Sequence, residues 1–185
     1  AFLMASPETE TNSFDEELAM QVVEEEVDYP EFPDIAKWMD ELNIYSELYN
    51  NEALQNLNPD MQEFYDGLLN SPTFVITRTN ELIGKLVDTA IVQDSISLEN
   101  MLMDIANSNA ELNGGNTIEQ NEYWANEMYL RWFRNSSDDF TETEQTQLFD
   151  LANSCPFVNG PAVYKARTMY ASINPGYVFD DLGLC

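Results

Sequence analysis

Two cysteines carry the most specific chemistry in this sequence, and both stand near its C-terminal end. Cys155 follows a predicted helix, and Cys185 is the last residue. An even number of cysteines placed in this way favours a disulfide, and closing a loop of about 30 residues would contribute about 3–4 kcal/mol in the chain-entropy model. The alternative is two free thiols in a reducing compartment. Two cysteines without a histidine are too few ligands for the usual zinc site.

Paired carboxylates are the second possible chemistry, because the chain has 34 Asp and Glu residues. Glu25 with Asp28, and Glu41 with Glu47, are close enough in sequence to be considered as acid–base pairs. Neither pair is flanked by residues that would raise the pKa of one carboxyl group above that of the other, as acid–base catalysis requires. These pairs therefore do not predict a catalytic site.

A glycosidase would need two carboxylates at a defined separation around a cleft lined by aromatic residues. The predicted helix 119–134 could line such a cleft through Tyr123, Trp124, Glu127 and Trp132. Aromatic side chains at helical spacing belong to a hydrophobic core far more often. We therefore predict that the chain is not an enzyme and has no catalytic residues, with a carboxylate-dependent glycan hydrolase as the alternative.

Oxygen ligands suited to calcium occur together in one stretch, which contains Asn135, Asp138, Asp139 and Glu142. The stretch lacks the glycine that the sharp turn of an EF-hand loop requires, so these acids better suit the N-terminus of the following helix. The glycine-rich turn at 113–116 has neither the preceding strand nor the following lysine of a phosphate-binding loop. We therefore predict no metal and no cofactor.

The charge of the chain excludes several classes of function. Its 185 residues include 34 acids, 7 bases and no histidine, which gives a net charge of −27 at pH 7. Such a chain repels the phosphates of nucleic acids and the surfaces of anionic membranes. The absence of histidine excludes a Ser-His-Asp triad, and no apolar stretch is long enough for membrane insertion. Hydrophobic residues make up 44% of the chain, which is enough for a core.

Helical signals follow one another from Pro33 onward. Pro33 suits a first helical turn, and Asn58 is a cap before a proline at the first helical position. Thr141 and Glu144 fit a capping box. Apolar residues recur at spacings of three and four, without the alternation of a strand. The sequence predicts an all-α fold of roughly six to eight helices, arranged as a bundle or a stack of antiparallel helix pairs.

The N-terminal part differs from the rest in charge. Residues 1–31 hold ten carboxylates and no basic residue, a composition typical of a solvated arm. The apolar run 18–23 inside it suits either a strand or a short helix. We predict an acidic, partly extended arm or linker over 1–32 and a helical domain over 33–185.

The segment 148–167 has a distinctive skeleton. It contains Ala-x-x-Cys-Pro around Cys155, then a loop with Gly160, then Ala-Val-Tyr-x-Ala-Arg ending at Arg167, and a later Asp-Asp pair and second cysteine follow. This skeleton resembles a segment of large secreted and surface proteins of Bacteroidetes-type bacteria, where it commonly precedes the C-terminal sorting domain read by the type IX secretion system. The resemblance covers roughly residues 145–185. No sorting domain follows Cys185, so the chain is expected to be a fragment or a processed cargo.

The resemblance implies export and a place at the cell surface, and it implies roles for several residues. Cys155 and Cys185 would form the bridge, and Arg167 would be a structural cation that pairs with Asp180 or Asp181. Two short segments, Asp-Thr-Ala and Asp-Ser-Ile, match an O-glycosylation pattern of those bacteria, and their expected acceptors are Thr89 and Ser95. Ordinary helical residues also match such a short pattern often by chance.

We therefore predict a non-enzymatic structural or interaction domain of an exported bacterial surface protein, similar to type IX secretion cargo. Its expected partners are other protein chains or domains at the cell surface, or the secretion machinery. The acidic surface favours basic or cation-bridged partners. A cytosolic acidic adaptor for a basic partner is a further alternative, which reduced cysteines would favour.

Overall fold

Every regular element in the part of the chain that the structure describes is a helix. The computed structural model describes residues 15–28, 33–92, 95–112, 115–135 and 140–185. The predicted all-α class is confirmed. None of the helices in these ranges combines the length and the apolar character that crossing a membrane requires.

The helices differ widely in length, from single turns to more than five turns. They are α1 (Glu16–Val23), α2 (Pro33–Asn50), α3 (Glu52–Gln55), α4 (Pro59–Gly67), α5 (Pro72–Val92), α6 (Ser95–Ala110), α7 (Thr117–Asn135), α8 (Glu142–Ala152), α9 (Pro156–Asn159), α10 (Ala162–Ile173) and α11 (Asp181–Leu184).

Side-chain caps begin several of these helices where the sequence predicts them. Asn58 accepts a hydrogen bond from the Met61 amide (2.8 Å), with Pro59 as the first residue of α4. Thr141 and Glu144 form the predicted capping box at α8, which is confirmed. Each cap satisfies an amide that would otherwise lack an acceptor, and such a cap contributes about 1 kcal/mol.

The capping box of α8 is tied to α7 by an ion pair. Arg131 Nη1 lies 2.6 Å from Glu144 Oε1, while Glu144 Oε2 accepts from the amide and the hydroxyl of Thr141. The Arg131 guanidinium, with further help from the Thr141 hydrogen bonds, lowers the pKa of Glu144 from 4.5 to about 2.

We expect the stability that Glu144 contributes to disappear in acid. Because its folded-state pKa lies below the unfolded value, the contribution is complete above pH 4.5 and is lost as the pH falls toward about 2. Glu144→Gln keeps a capping oxygen but has no charge to lose. Urea denaturation at about pH 6 and about pH 3 should therefore show a larger loss for the unchanged protein than for the variant. Equal losses would contradict the assignment.

The short helix α1 packs against the body of the molecule. Its Ala19 and Val22 are buried against Ile44 and Leu48 of α2 and Met61 of α4. The apolar run for which the sequence left strand and helix open is thus helical. This packing follows because the apolar residues of α1 recur at helical spacing on one face, while Glu16 and Glu17 are exposed. The division into an arm or linker over 1–32 and a helical domain over 33–185 stays a prediction. Residues 1–14 and 29–32 lie outside the described ranges.

The main core is centred on α10, which packs between α7 and α8, while α5 packs on α6. Small residues on α10, Ala162 and Ala166, have no exposure and let the neighbouring helices approach closely. The largest fully buried side chains around them are Leu86, Leu102, Ile105, Leu148 and Met169.

A disulfide joins the start of α9 to the end of the chain. The sulfur atoms of Cys155 and Cys185 are 2.11 Å apart, and their Cα atoms are 5.0 Å apart. Between α9 and α10, Gly160 has a positive φ of 79°, and a Cβ atom there would lie 2.5 Å from Ile118 on α7. Only glycine fits this turn, because any side chain would collide with Ile118 in a strained backbone conformation.

Candidate functional site

A buried polar network lies inside the main core, and we call it the Lys165 network. Lys165 of α10 donates hydrogen bonds to Asn80 of α5 (2.6 Å) and to Asn126 of α7 (2.7 Å). Its ammonium also lies 2.5 Å from Glu122 Oε2. Asn126 in turn donates to Asn109 of α6 (2.9 Å). Four helices therefore share one set of polar contacts.

The Lys165 network is almost closed to solvent. Glu122 is fully buried, and the Lys165 side chain is 18% exposed. Asn109 and Asn126 are also fully buried. Every donor of the ammonium is matched by an acceptor, so the arrangement resembles a buried ion pair that holds four helices in register. Its chemistry is that of a structural cluster.

An apolar groove lies beside the disulfide, and we call it the disulfide groove. It has a volume of about 720 Å³. One wall is α2, the other is α9, and the last residues of the chain close it. The lining residues are Ala36, Met39, Asp40, Asn43, Cys155, Phe157, Val158, Leu184 and Cys185. Phe157 is 70% exposed, which is unusual for a large aromatic side chain.

A second depression, the Trp124 cleft, runs between α7 and α8, which both pack on α10. Its volume is about 320 Å³. Most of its lining side chains carry amide, hydroxyl or carboxylate groups. They are Asn121 and Trp124 of α7, Gln147, Asp150 and Leu151 of α8, and Ser154 and Asn159 around α9.

Most basic residues of the chain form ion pairs with carboxylates of the same chain. Among the described residues, at least six of the seven lie within 4.0 Å of a carboxylate, in the pairs Lys37–Glu25, Arg78–Glu111, Lys85–Glu81, Arg131–Glu144, Arg134–Glu99 and Lys165–Glu122. The 34 carboxylates of the chain far outnumber its seven cations. The field outside the molecule is therefore negative over most of its surface.

The carboxylate pairs considered from the sequence have different surroundings. Glu25 lies 2.7 Å from Lys37 Nζ, and the hydrogen bond from this ammonium lowers the pKa of Glu25. Glu41 lies 4.0 Å from the same ammonium, and burial raises its pKa. Glu25 and Glu41 thus share Lys37, although they belong to different predicted pairs. Glu47 is exposed.

The aromatic residues of α7 do not line one common cleft. Trp132 packs against the main core, and Tyr123 packs against a separate cluster that includes Leu42 and Ile76. Glu127 accepts a hydrogen bond from Asn109 (3.2 Å). Trp124 is half-buried and borders the Trp124 cleft. The cleft expected for a hydrolase from these four residues is therefore not formed by them together.

Arg167 contacts a backbone carbonyl and an aromatic ring. Arg167 Nε donates to the carbonyl of Ala152 (2.9 Å), and its guanidinium lies 4.8 Å from the centre of the Phe179 ring. The Asp180 carboxylate accepts from the amide of Gly183 (3.2 Å). The side chain of Asp181 lies outside the described residues, so its pairing with Arg167 stays a prediction.

Other predicted positions also fall outside the described residues. These are the side chains of Thr89, Ser95 and Asn135 and all of Asp138 and Asp139. Glu142 is exposed in the first turn of α8, where a carboxylate is favoured by the helix dipole. Within the described ranges, no group of three or more acids or cysteines is arranged to hold a metal ion.

No pattern in the sequence indicates the disulfide groove or the Trp124 cleft. Both depend on which helices become neighbours, and helical periodicity alone does not say so. A comparison of the chain with models of protein families, with curated proteins and with solved structures finds no match in any of the three.

Proposed function

We propose that this chain is a non-enzymatic interaction domain of an exported bacterial surface protein, similar to type IX secretion cargo. Its partner is a protein segment with an apolar anchor flanked by Lys or Arg residues, and the anchor binds in the disulfide groove. The observation that carries this proposal is the apolar groove itself, in a molecule whose surface is strongly acidic.

The chemistry of the groove supports an apolar anchor. Met39, Phe157 and Leu184 offer apolar surface to a ligand. Burying such surface gains roughly 25 cal/mol per Å². Asp40 lines the same groove and would face the flanking part of the bound segment. An exposed aromatic residue in a concave surface is typical of a binding site for a protein partner.

The distribution of charge supports a basic partner. The chain carries 34 carboxylates against seven cations, and its net charge of −27 attracts the basic groups of a partner. Complementary charge mainly speeds association and rejects acidic competitors, while the apolar anchor determines how long the complex lasts.

The disulfide supports export, because disulfides persist in oxidising compartments and are rare in the cytosol. A cytosolic acidic adaptor would have the same groove and the same charge but reduced cysteines. The oxidation state of Cys155 and Cys185 in chain purified from its native source therefore separates these two proposals. The alternative of a carboxylate-dependent glycan hydrolase would require two carboxylates that face each other across a cleft.

We expect a synthetic peptide with Leu and Phe anchors between Lys and Arg residues to bind in the disulfide groove. Two matched peptides serve for comparison, one with Glu in place of each basic residue and one with Ser in place of each anchor. Fluorescence anisotropy at low and high salt measures the affinities. Met39→Gln and Phe157→Ser should each lower the affinity for the basic apolar peptide by about tenfold, a free-energy difference of about 1.4 kcal/mol.

The control variant is Leu69→Ser, because Leu69 is an exposed apolar residue outside the groove. It should bind the basic apolar peptide as the unchanged protein does. Equal binding of the Ser-anchored peptide, or full binding by the two groove variants, would indicate charge attraction without a docking site and would contradict the proposal.

A further inference from the structure

We propose that the Trp124 cleft is a binding site for a neutral carbohydrate. This inference is independent of the disulfide groove, because the two depressions share no lining residue. The cleft joins one tryptophan ring to a set of amide, hydroxyl and carboxylate groups, and it is open to solvent along its length. This combination matches the chemistry of a sugar ring, which has apolar C–H faces and a rim of hydroxyl groups.

Trp124 supplies the apolar surface. It is half-buried, and its inner part packs against the main core, which holds the ring in place. A fixed aromatic ring loses little conformational entropy when a ligand stacks on it, and its indole N–H remains a hydrogen-bond donor. Leu151, which is 8% exposed, forms apolar floor next to it.

The opposite wall presents free hydrogen-bonding groups. Gln147 and Asp150 lie three positions apart on α8, so they share one face of the helix. Both are exposed, and within the described part of the chain neither side chain makes a hydrogen bond or an ion pair. An amide both donates and accepts, and a carboxylate accepts from two hydroxyl groups at once. Neighbouring hydroxyl groups of a sugar need such partners.

The end of the cleft is organised by hydrogen bonds. Asn121 Nδ2 donates to the carbonyl of Asn159 (3.0 Å), and Asn159 Nδ2 donates to the carbonyl of Cys155 (3.3 Å). Ser154 Oγ donates to the carbonyl of Asp150 (2.8 Å). The disulfide at Cys155 restrains the same turn. A binding site whose polar groups are already in place has less entropy to lose when a ligand binds.

The charge of the cleft limits the class of sugar. Asp150 is the one charged residue among the described residues that line it. An acidic sugar would be repelled by Asp150 and by the negative field of the molecule, so a neutral sugar is favoured. Glycoside hydrolysis by the usual pair would require a second carboxylate across the cleft. Binding without hydrolysis is the activity that this lining supports.

Titration with defined sugars tests the inference. The panel contains the methyl glycosides of glucose, galactose, mannose and N-acetylglucosamine, their β-linked disaccharides, and glucuronic acid as the acidic counterpart. Saturation-transfer NMR detects weak binding, and tryptophan fluorescence reports on the site. We expect at least one neutral sugar to bind with a dissociation constant of about 1 mM, and glucuronic acid to bind at least about tenfold more weakly.

Variants assign the binding to the cleft. Trp124→Ala and Gln147→Ala should each lower the affinity for the sugar by about tenfold or more. Gln147 is exposed, so its variant tests the site even if Trp124→Ala fails to fold. Thr143→Ala on the exposed first turn of α8 is the matched control and should bind normally. Absence of binding by every sugar up to about 20 mM would overturn the inference, as would unchanged binding by Gln147→Ala.

Discussion

Replacing Lys165 by methionine is expected to lower the free energy of unfolding by about 3–5 kcal/mol. The substitution leaves the Glu122 carboxylate, which is fully buried, without its cation. Asn80 and Asn126 lose their donor at the same time. Within the described residues Glu122 Oε1 already has no hydrogen-bond partner, so Oε2 carries the polar contact of this group. Urea denaturation followed by circular dichroism measures the loss.

Two further variants show whether the loss comes from the buried charge. Lys85→Met removes a cation from an exposed pair with Glu81, and it should cost no more than about 1 kcal/mol. Adding Glu122→Leu to Lys165→Met should recover part of the stability, because an apolar pair needs no polar partner. Equal costs for Lys165→Met and Lys85→Met would show that water reaches Glu122, and the structural interpretation of the Lys165 network would be wrong.

The position of Lys165 explains why the sequence did not predict this network. Its partner Asn80 is 85 positions away in sequence, and Glu122 is 43 positions away. Nothing in the local pattern around Lys165 distinguishes it from a surface lysine on an acidic protein. Its burial follows from the close packing of α10 between α7 and α8, which the small buried side chains of Ala162 and Ala166 allow.

Helix caps can be predicted from the sequence more reliably than the Lys165 network, because a cap depends only on residues a few positions apart. The capping box of Thr141 and Glu144 needs only a hydroxyl and a carboxylate three residues apart, and the structure contains it. In α1, the apolar residues have both helical spacing and a neighbouring surface to cover, and only the first of these is visible in the sequence. The acidic residues around α1 are typical of a solvated segment, whereas Ala19 and Val22 of α1 are buried.

The Trp124 cleft could be predicted from the sequence only in part. Gln147 and Asp150 lie three positions apart on one face of α8, and Ser154 follows four positions later, just beyond the end of that helix. Such a polar stripe is usually a solvated helix face. It becomes one wall of a cleft only because Trp124 and Asn121 of α7 lie opposite, and that placement depends on the packing of both helices on α10.

Removal of the disulfide, by changing Cys155 and Cys185 to serine, is expected to lower the free energy of unfolding by about 3–4 kcal/mol. The bridge spans a sequence separation of 30 residues, and it restricts the unfolded chain over that length. In the folded state it also ties α9, which packs on α7, to the last residues. Urea denaturation of both proteins, with and without reductant, measures the difference.

The oxidation state of Cys155 and Cys185 decides between export and a cytosolic role. Reductant should destabilise the unchanged protein to the level of the serine variant and should leave the variant unaffected. In chain purified from its native source under alkylating conditions, both thiols should resist alkylation until they are reduced, and the intact mass should be two hydrogens lower than that of the reduced chain. Any further added mass would fit glycan at Thr89 or Ser95.

If both thiols are alkylated without reduction, the bridge is absent in the cell. The export proposal would then be wrong and the cytosolic adaptor would replace it, because a compartment that keeps these cysteines reduced is one in which such a bridge does not persist.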